Sequence, residues 1–109
     1  MTYVIVTIKK IIDIEAFRDY AVRVGPIIDR FGGKYVAVDK TPDVRSGEWP
    51  YVRTVIVAYP NFAAAQRWYN SPEYQEIIPI RTRAIDANIA IVRDPKEAGI
   101  DMDPRKSGA

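Results

Sequence analysis

Arg81 stands in an apolar stripe, and no other feature of this sequence carries as much chemistry. On a helix that starts at Ser71, the residues Tyr74, Ile77, Ile78, Arg81 and Ile85 fall at i, i+3, i+4, i+7 and i+11 and share one face. A guanidinium there has two uses. It clamps a carboxylate or enolate at the mouth of a pocket between sheet and helices, or it reaches past Ile78 to pair with a carboxylate such as Glu48. Arg53 poses the same question from a strand face that also carries Val55 and Val57. Trp68, Tyr69 and Tyr74, joined by Tyr20 from an earlier helix, supply aromatic surface near Arg81. A tyrosine hydroxyl there could donate to a substrate oxygen or act as a weak acid; the plainer reading is packed core with a satisfied hydroxyl. Glu48, just before Trp49 in a loop, is the carboxylate best placed for a general base if burial raises its pKa. It reads equally as a surface carboxylate or a partner of Arg53. The candidate ligand-binding set is therefore Arg53, Arg81, Tyr20 and Trp68, and the candidate proton-transfer set is Glu48, Tyr69 and Tyr74.

Composition removes much other chemistry. The 109 residues include no cysteine and no histidine. That excludes disulfides, thiolate nucleophiles, Ser-His-Asp triads, imidazole bases and histidine-bound zinc or haem. Glu73 and Glu76 are spaced i, i+3, but Glu73 suits the positive end of a helix and Glu76 suits solvent, so no metal site is expected. Gly32-Gly33 follow a helix instead of opening one after a strand, which makes them a helix end and not a phosphate cradle. No cofactor is expected. The net charge of +2 is scattered and gives no footprint for nucleic acid. The apolar runs are far shorter than the ~20 residues of a membrane span, and MTYVIVTIKK lacks the pattern of a signal peptide. The expectation is a cytoplasmic protein without membrane or nucleic-acid partners.

The elements that must position these residues follow from pattern. Residues 2–9, 34–39, 51–59 and 87–93 are rich in β-branched and aromatic residues and predict four strands. Asp13 caps a helix with Phe17, Tyr20, Ala21, Val24, Ile28 and Phe31 on one stripe, and Gly25-Pro26 predicts a kink or break in it. Residues 40–50 form a loop. Asn61 caps a second helix, ended by Asn70 in the left-handed conformation, and Ser71-Pro72 open the third, which bends at Pro79. The polar tail, residues 94–109, predicts an extended or disordered arm beyond a single domain of residues 1–93. The order β-α-β-β-α-β gives an α+β, ferredoxin-like fold: a four-stranded antiparallel sheet with helices on one face. Ile5, Val55, Val57, Ile89 and Ile91 are assigned to one side of the sheet, and Val4, Val6, Ile56 and Val92 to the other. Both faces are apolar and the helices cover one, so a homodimer with sheets packed face to face is expected.

With that architecture, the motif WYNSPEYQEIIPIR at Trp68–Arg81 is similar to the signature of the domain of unknown function family 1330, within the dimeric α+β barrel superfamily. Phe17, Tyr20, Gly32-Gly33, Glu48-Trp49, Arg53 and Tyr59-Pro60 match in order and spacing. The resemblance covers roughly residues 2–93 and implies a homodimeric barrel. It brings no established activity; superfamily relatives include cofactor-free monooxygenases, haem-degrading enzymes and small-molecule isomerases. The expectation is a small-molecule-binding protein, as a cofactor-free enzyme acting on an anionic or carbonyl-bearing metabolite. The alternative is a non-catalytic dimeric binding or assembly domain. Whether the chain is an enzyme at all stays open at this point.

Overall fold

The computed structural model of the chain describes residues 1–106. Its elements are β1 (Thr2–Ile11), α1 (Ile14–Arg30), β2 (Lys34–Asp39), β3 (Arg53–Tyr59), α2 (Phe62–Asn70), α3 (Pro72–Ala84), β4 (Ile85–Arg93) and α4 (Pro95–Ala98). The strands form one antiparallel sheet in the order β2-β3-β1-β4, and α1, α2 and α3 pack on one face of it. This is the ferredoxin-like α+β arrangement. Ile85 opens β4 instead of ending the stripe on α3.

Local chemistry explains the helix ends. The Asp13 side chain accepts from the Ala16 N–H, Asn61 from Ala64 and Ser71 from Tyr74, each satisfying a donor left free in a first helical turn. Ser71 also donates its hydroxyl to the Trp68 carbonyl at 2.8 Å, so one side chain closes α2 and opens α3. α1 ends in a Schellman arrangement: the Gly33 N–H bonds to the Ile28 carbonyl and the Gly32 N–H to that of Asp29, with Gly32 at φ +84°. Gly33 is required for another reason. A Cβ there would lie 2.7 Å from both Ile28 Cγ2 and Tyr59 Cζ, inside contact distance.

Four expectations about local structure need correction. α1 is not broken at Gly25-Pro26; α3, as expected, continues past Pro79. Val22 and Gln75, whose carbonyls lose their N–H partner four residues on, are exposed, so water satisfies those oxygens. Asn70 does not adopt the left-handed conformation, because no residue other than glycine among those described has positive φ; the Ser71 cap ends α2 instead. Residues 95–98 are helical and docked. Asp94 caps α4, and the Glu97 carboxylate accepts from the Thr2 hydroxyl at 2.7 Å and from the Phe62 N–H at 2.8 Å. Residues 107–109, also expected in the polar arm, lie outside the described residues.

The fourth correction concerns the two faces of the sheet. Directly paired residues on antiparallel strands point to the same side. Val4 pairs with Val57 and Ile91, Val6 with Val55 and Ile89, and Ile5 with Ile56 and Ala90. The helix-facing side therefore combines Val4, Val6 and Ile8 with Arg53, Val55, Val57, Tyr59, Ile89 and Ile91. The open side combines Tyr3, Ile5, Ile56, Ala58, Ala90 and Val92. Val57, grouped above with Ile5, lies on the opposite side from it, 3% exposed beneath the helices. The molecule measures 50 × 34 × 19 Å, and its least dimension has room for one sheet and one helix layer only. Among the described residues the apolar side opposite the helices thus has no covering layer.

Two outcomes follow. Val57→Asp introduces a lone charge among core side chains and should unfold the domain, a cost above ~3 kcal/mol; circular dichroism in urea reads it. The Glu97 carboxyl is held below the usual carboxylate range, first by the Phe62 N–H and then by the Thr2 hydroxyl. A lowered folded-state pKa means that stability is present above the unfolded value. It is lost as pH falls past about 4.3, and the loss completes below the lowered pKa. The protection factor of the Phe62 amide, its exchange rate relative to the unstructured chain at the same pH, should therefore fall on acidification to about pH 3 more in wild type than in Glu97→Gln; an equal fall would remove Glu97 from the α4 contact.

Candidate functional site

Between the helix-facing side of the sheet and the helices lies a cavity of about 160 Å³. Its walls are apolar: Val4, Val6, Val55 and Val57 from the sheet, with Phe17, Val24 and Ile28 from α1. Tyr20, Arg53, Trp68 and Arg81, the four proposed from sequence for ligand binding, all line it, together with Tyr35 of β2. The alternation of β3 places Arg53 on the same side as Val55 and Val57. Helix periodicity brings Arg81 one turn beyond Ile77 and Ile78, and two turns beyond Tyr74.

Arg81 is half-buried and donates from Nη1 to the Tyr74 hydroxyl at 2.7 Å. Tyr74, fully buried, shares a hydrogen bond of 2.8 Å with the Tyr20 hydroxyl across the α1–α3 contact. The Trp68 ring packs on Tyr74 with centroids 4.3 Å apart and on Tyr59 at 5.7 Å. The Arg53 guanidinium sits 5.0 Å from the centre of the Phe17 ring. Among the described residues neither Arg53 nor Arg81 has a carboxylate within ion-pair distance. Arg53 Nε and Trp68 Nε1 are buried without a hydrogen-bond partner.

Burial sets the electrostatics. It pushes the Tyr20 hydroxyl pKa well up, with Tyr74 adding to the shift, and it is also the main cause of the raised pKa of Tyr74. Both phenols stay protonated at neutral pH and act as hydrogen-bond donors, not bases. For Arg81, burial works against the charge, but the adjacent Tyr74 hydroxyl leads a set of opposing contributions that leave its pKa above the ordinary value. Arg81 is a permanent cation beside an apolar cavity.

The proton-transfer candidates are placed differently. Glu48 is exposed in the loop between β2 and β3, does not line the cavity and is not paired with Arg81 or Arg53. The thirteen-residue connection between β2 and β3, rich in turn formers, holds it at the surface. Tyr69 packs edge-on against Trp68 and lies against Tyr74, but it is outside the lining. Tyr74 stands behind the lining, its ring against Trp68 and its hydroxyl bonded to Arg81 and Tyr20. Sequence reading missed Tyr35, which lines the cavity, and Tyr59, whose buried hydroxyl is unpartnered. Pairing of Tyr35 with Val57 puts Tyr35 on the cavity side, a signal available only once strand register is known.

A two-layer ferredoxin-like domain with an arginine-lined apolar cavity between its layers is the class that this fold and site define. The chain belongs to the family described as Domain of unknown function (DUF1330), whose model matches residues 1–95. No curated protein matches it. A protein of unknown function from Rhodopseudomonas palustris superposes with a TM-score of 0.71 at 21% identity, over 85% of this chain and 81% of that one. A dimeric ferredoxin-like protein of unknown function from Jannaschia gives 0.58 at 11% identity, over 85% and 98%. A cofactor-independent oxygenase from Streptomyces nogalater gives 0.56 at 13% identity, over 85% and 90%. At such identities the likeness is one of fold.

Because Arg81 has no acidic partner to strand, Arg81→Met should change stability by no more than ~1 kcal/mol in either direction. The Tyr20 hydroxyl still satisfies Tyr74 in that variant. Tyr74→Phe breaks both bonds of the cluster and should cost ~1–3 kcal/mol. Urea denaturation of the two variants checks the order, and a larger loss for Arg81→Met would reveal a buried partner.

Proposed function

We propose that this protein is a homodimeric small-molecule-binding protein whose cavity takes an anionic or carbonyl-bearing metabolite through Arg81 and Arg53. One observation carries the reading: two arginines line one apolar cavity, and among the described residues no carboxylate pairs with either. Burying a cation is costly unless it is paired, so the arrangement is explained by a ligand that supplies the missing negative charge. Trp68, Phe17 and the valines of the sheet would hold the apolar body of that ligand.

Within this reading the donors would stabilise an oxyanion, the kind of help that a cofactor-free enzyme gives to an enolate. The oxygenase fold-relative from Streptomyces nogalater is compatible with such a use. A second reading, a non-catalytic binding module, is favoured by the lining itself. It contains no aspartate or glutamate, and Glu48 stands outside it, so a bound substrate would meet no carboxylate base.

The dimer rests on the open side of the sheet, where Tyr3, Ile5, Ile56 and Val92 form an apolar surface that no helix among the described residues covers. A second copy offers the same surface, and sheet-on-sheet packing about the two-fold axis buries both. The dimeric fold-relative from Jannaschia supports this. Among the described residues no helix is long and apolar enough to cross a membrane.

Light scattering should give about twice the 12.4 kDa chain mass. Ile56→Asp, on the open side, should yield a monomer or a poorly soluble chain, whereas a wild-type monomer at micromolar concentration would overturn the dimer. In a thermal-shift screen of small organic acids, hits should raise the melting temperature of wild type and lose most of that effect in Arg81→Met. Equal stabilisation of both proteins would take Arg81 out of the site.

A further inference from the structure

The hydrogen atoms of the Arg81–Tyr74–Tyr20 cluster can be counted. Arg81 spends one N–H on the Tyr74 oxygen. The Tyr74–Tyr20 contact spends one phenolic hydrogen, although the two phenols carry two. One phenolic O–H is therefore left without an acceptor among the described residues. Tyr74 is fully buried and outside the cavity lining, whereas Tyr20 is in the lining. The arrangement that leaves no buried donor stranded runs from Arg81 to Tyr74, from Tyr74 to Tyr20, and ends with the Tyr20 O–H directed at the cavity. In that direction a cation heads a chain of hydrogen bonds in which each polarises the next.

The remaining polar lining has the same character. Arg53 Nε and Trp68 Nε1 are unpartnered donors, and the lining contains no aspartate, glutamate, asparagine or glutamine. Its size is also restrictive. At about 160 Å³ it is close to the ~150 Å³ engineered apolar cavity that binds benzene. The walls thus fit one ring or an aliphatic body of similar bulk, and the polar groups fit an acceptor carrying negative charge.

Resting on the function proposed above, we infer that the cavity selects the ionised form of a ring-sized apolar acid, a phenolate, enolate or carboxylate. Tyr20 is the group that donates to its oxyanion. An acidic O–H bound there ionises more readily than in water. The ligand's O–H bond breaks, its electron pair stays on the ligand oxygen, and the proton leaves to solvent, since no lining carboxylate is present to take it. Donors and cations around the site stabilise only the charged form, which lowers the bound acid's pKa.

p-Nitrophenol tests this directly, because its absorbance distinguishes phenol from phenolate. Bound to wild type, it should ionise at least about one pH unit below the free dye, equivalent to tenfold tighter binding of the anion. Tyr20→Phe, which keeps the ring, should still bind the dye but lose half or more of that shift. Tyr74→Phe, which cuts the chain behind the wall, should lose a comparable part, and Arg81→Met should lose nearly all of it. Binding of p-nitrotoluene, a neutral molecule of the same shape, should be equal in wild type and Tyr20→Phe, which verifies that the cavity is intact. An undiminished shift in both tyrosine variants would overturn the role of Tyr20 while leaving the arginine site standing. Dye bound to wild type with no downward shift would overturn selection of the anion. An undiminished shift in Arg81→Met would overturn the arginine site and this inference together, as would failure of wild type to bind p-nitrophenol, benzoate or p-nitrotoluene at millimolar concentration.

Discussion

Two positive charges in an apolar layer are the constraint on which this molecule turns. A guanidinium half-removed from water loses hydration that apolar neighbours cannot replace, and the loss is tolerated where hydrogen bonds or aromatic faces compensate. Arg81 finds one phenol oxygen, and Arg53 finds the face of Phe17. Among the described residues neither finds an anion. Each compensation also fixes position. The Arg81–Tyr74–Tyr20 cluster ties α3 to α1, and Arg53 is set by the strand that passes beneath them. The groups that give the cavity its character are carried on rigid elements, which hold a binding geometry more accurately than loops do.

The same layer explains why the second helical unit is built in two pieces. Trp68 ends α2 buried against Tyr59 and Tyr74, and Tyr74 begins α3 buried beside it. A continuous helix would rotate residues 68 and 74 by about 600° relative to one another, at 100° per residue, and so onto different sides. The break at Ser71 resets that phase. Its hydroxyl satisfies both flanking helix ends, which is why a buried polar residue is tolerated there at 5% exposure.

Much of this was legible in the chain. The caps at Asp13, Asn61 and Ser71 and the close of α1 at Gly32-Gly33 are local chemistry that neighbouring residues cannot easily override. So is the alternation that put Arg53 with Val55 and Val57. What failed was non-local or depended on exposure. A break at Pro26 was allowed for, yet α1 runs on with its unpaired carbonyl on a residue open to water. Val57 was grouped with Ile5 because alternation gives the faces of one strand and not their phase relative to the next. Pairing of Val4 with Val57 supplies that phase. The same missing register hid Tyr35 and Tyr59. Glu48 was chosen for its chemical type, and type does not say where a long loop will hold a side chain.

Correcting the register also changes how the proposed dimer and the cavity are related. Had Val57 belonged to the open layer, its neighbours Arg53 and Val55 would have belonged there too, and the cationic residues would have faced a dimer interface. With the observed pairing, the sheet is a wall between two apolar spaces of different kind. One side carries Arg53, Val55 and Val57 toward the helices and the cavity; the other carries Thr54, Ile56 and Ala58, with no charged residue among them. An alternating strand can serve both only if every charge falls on the ligand side, and β3 from Arg53 to Tyr59 places its single charge there. Along β3 the open face then carries no cation, its charged residues Lys34 and Asp39 lying on the edge strand β2, and the arginine that a dry interface would reject is confined to the space where an anion can meet it.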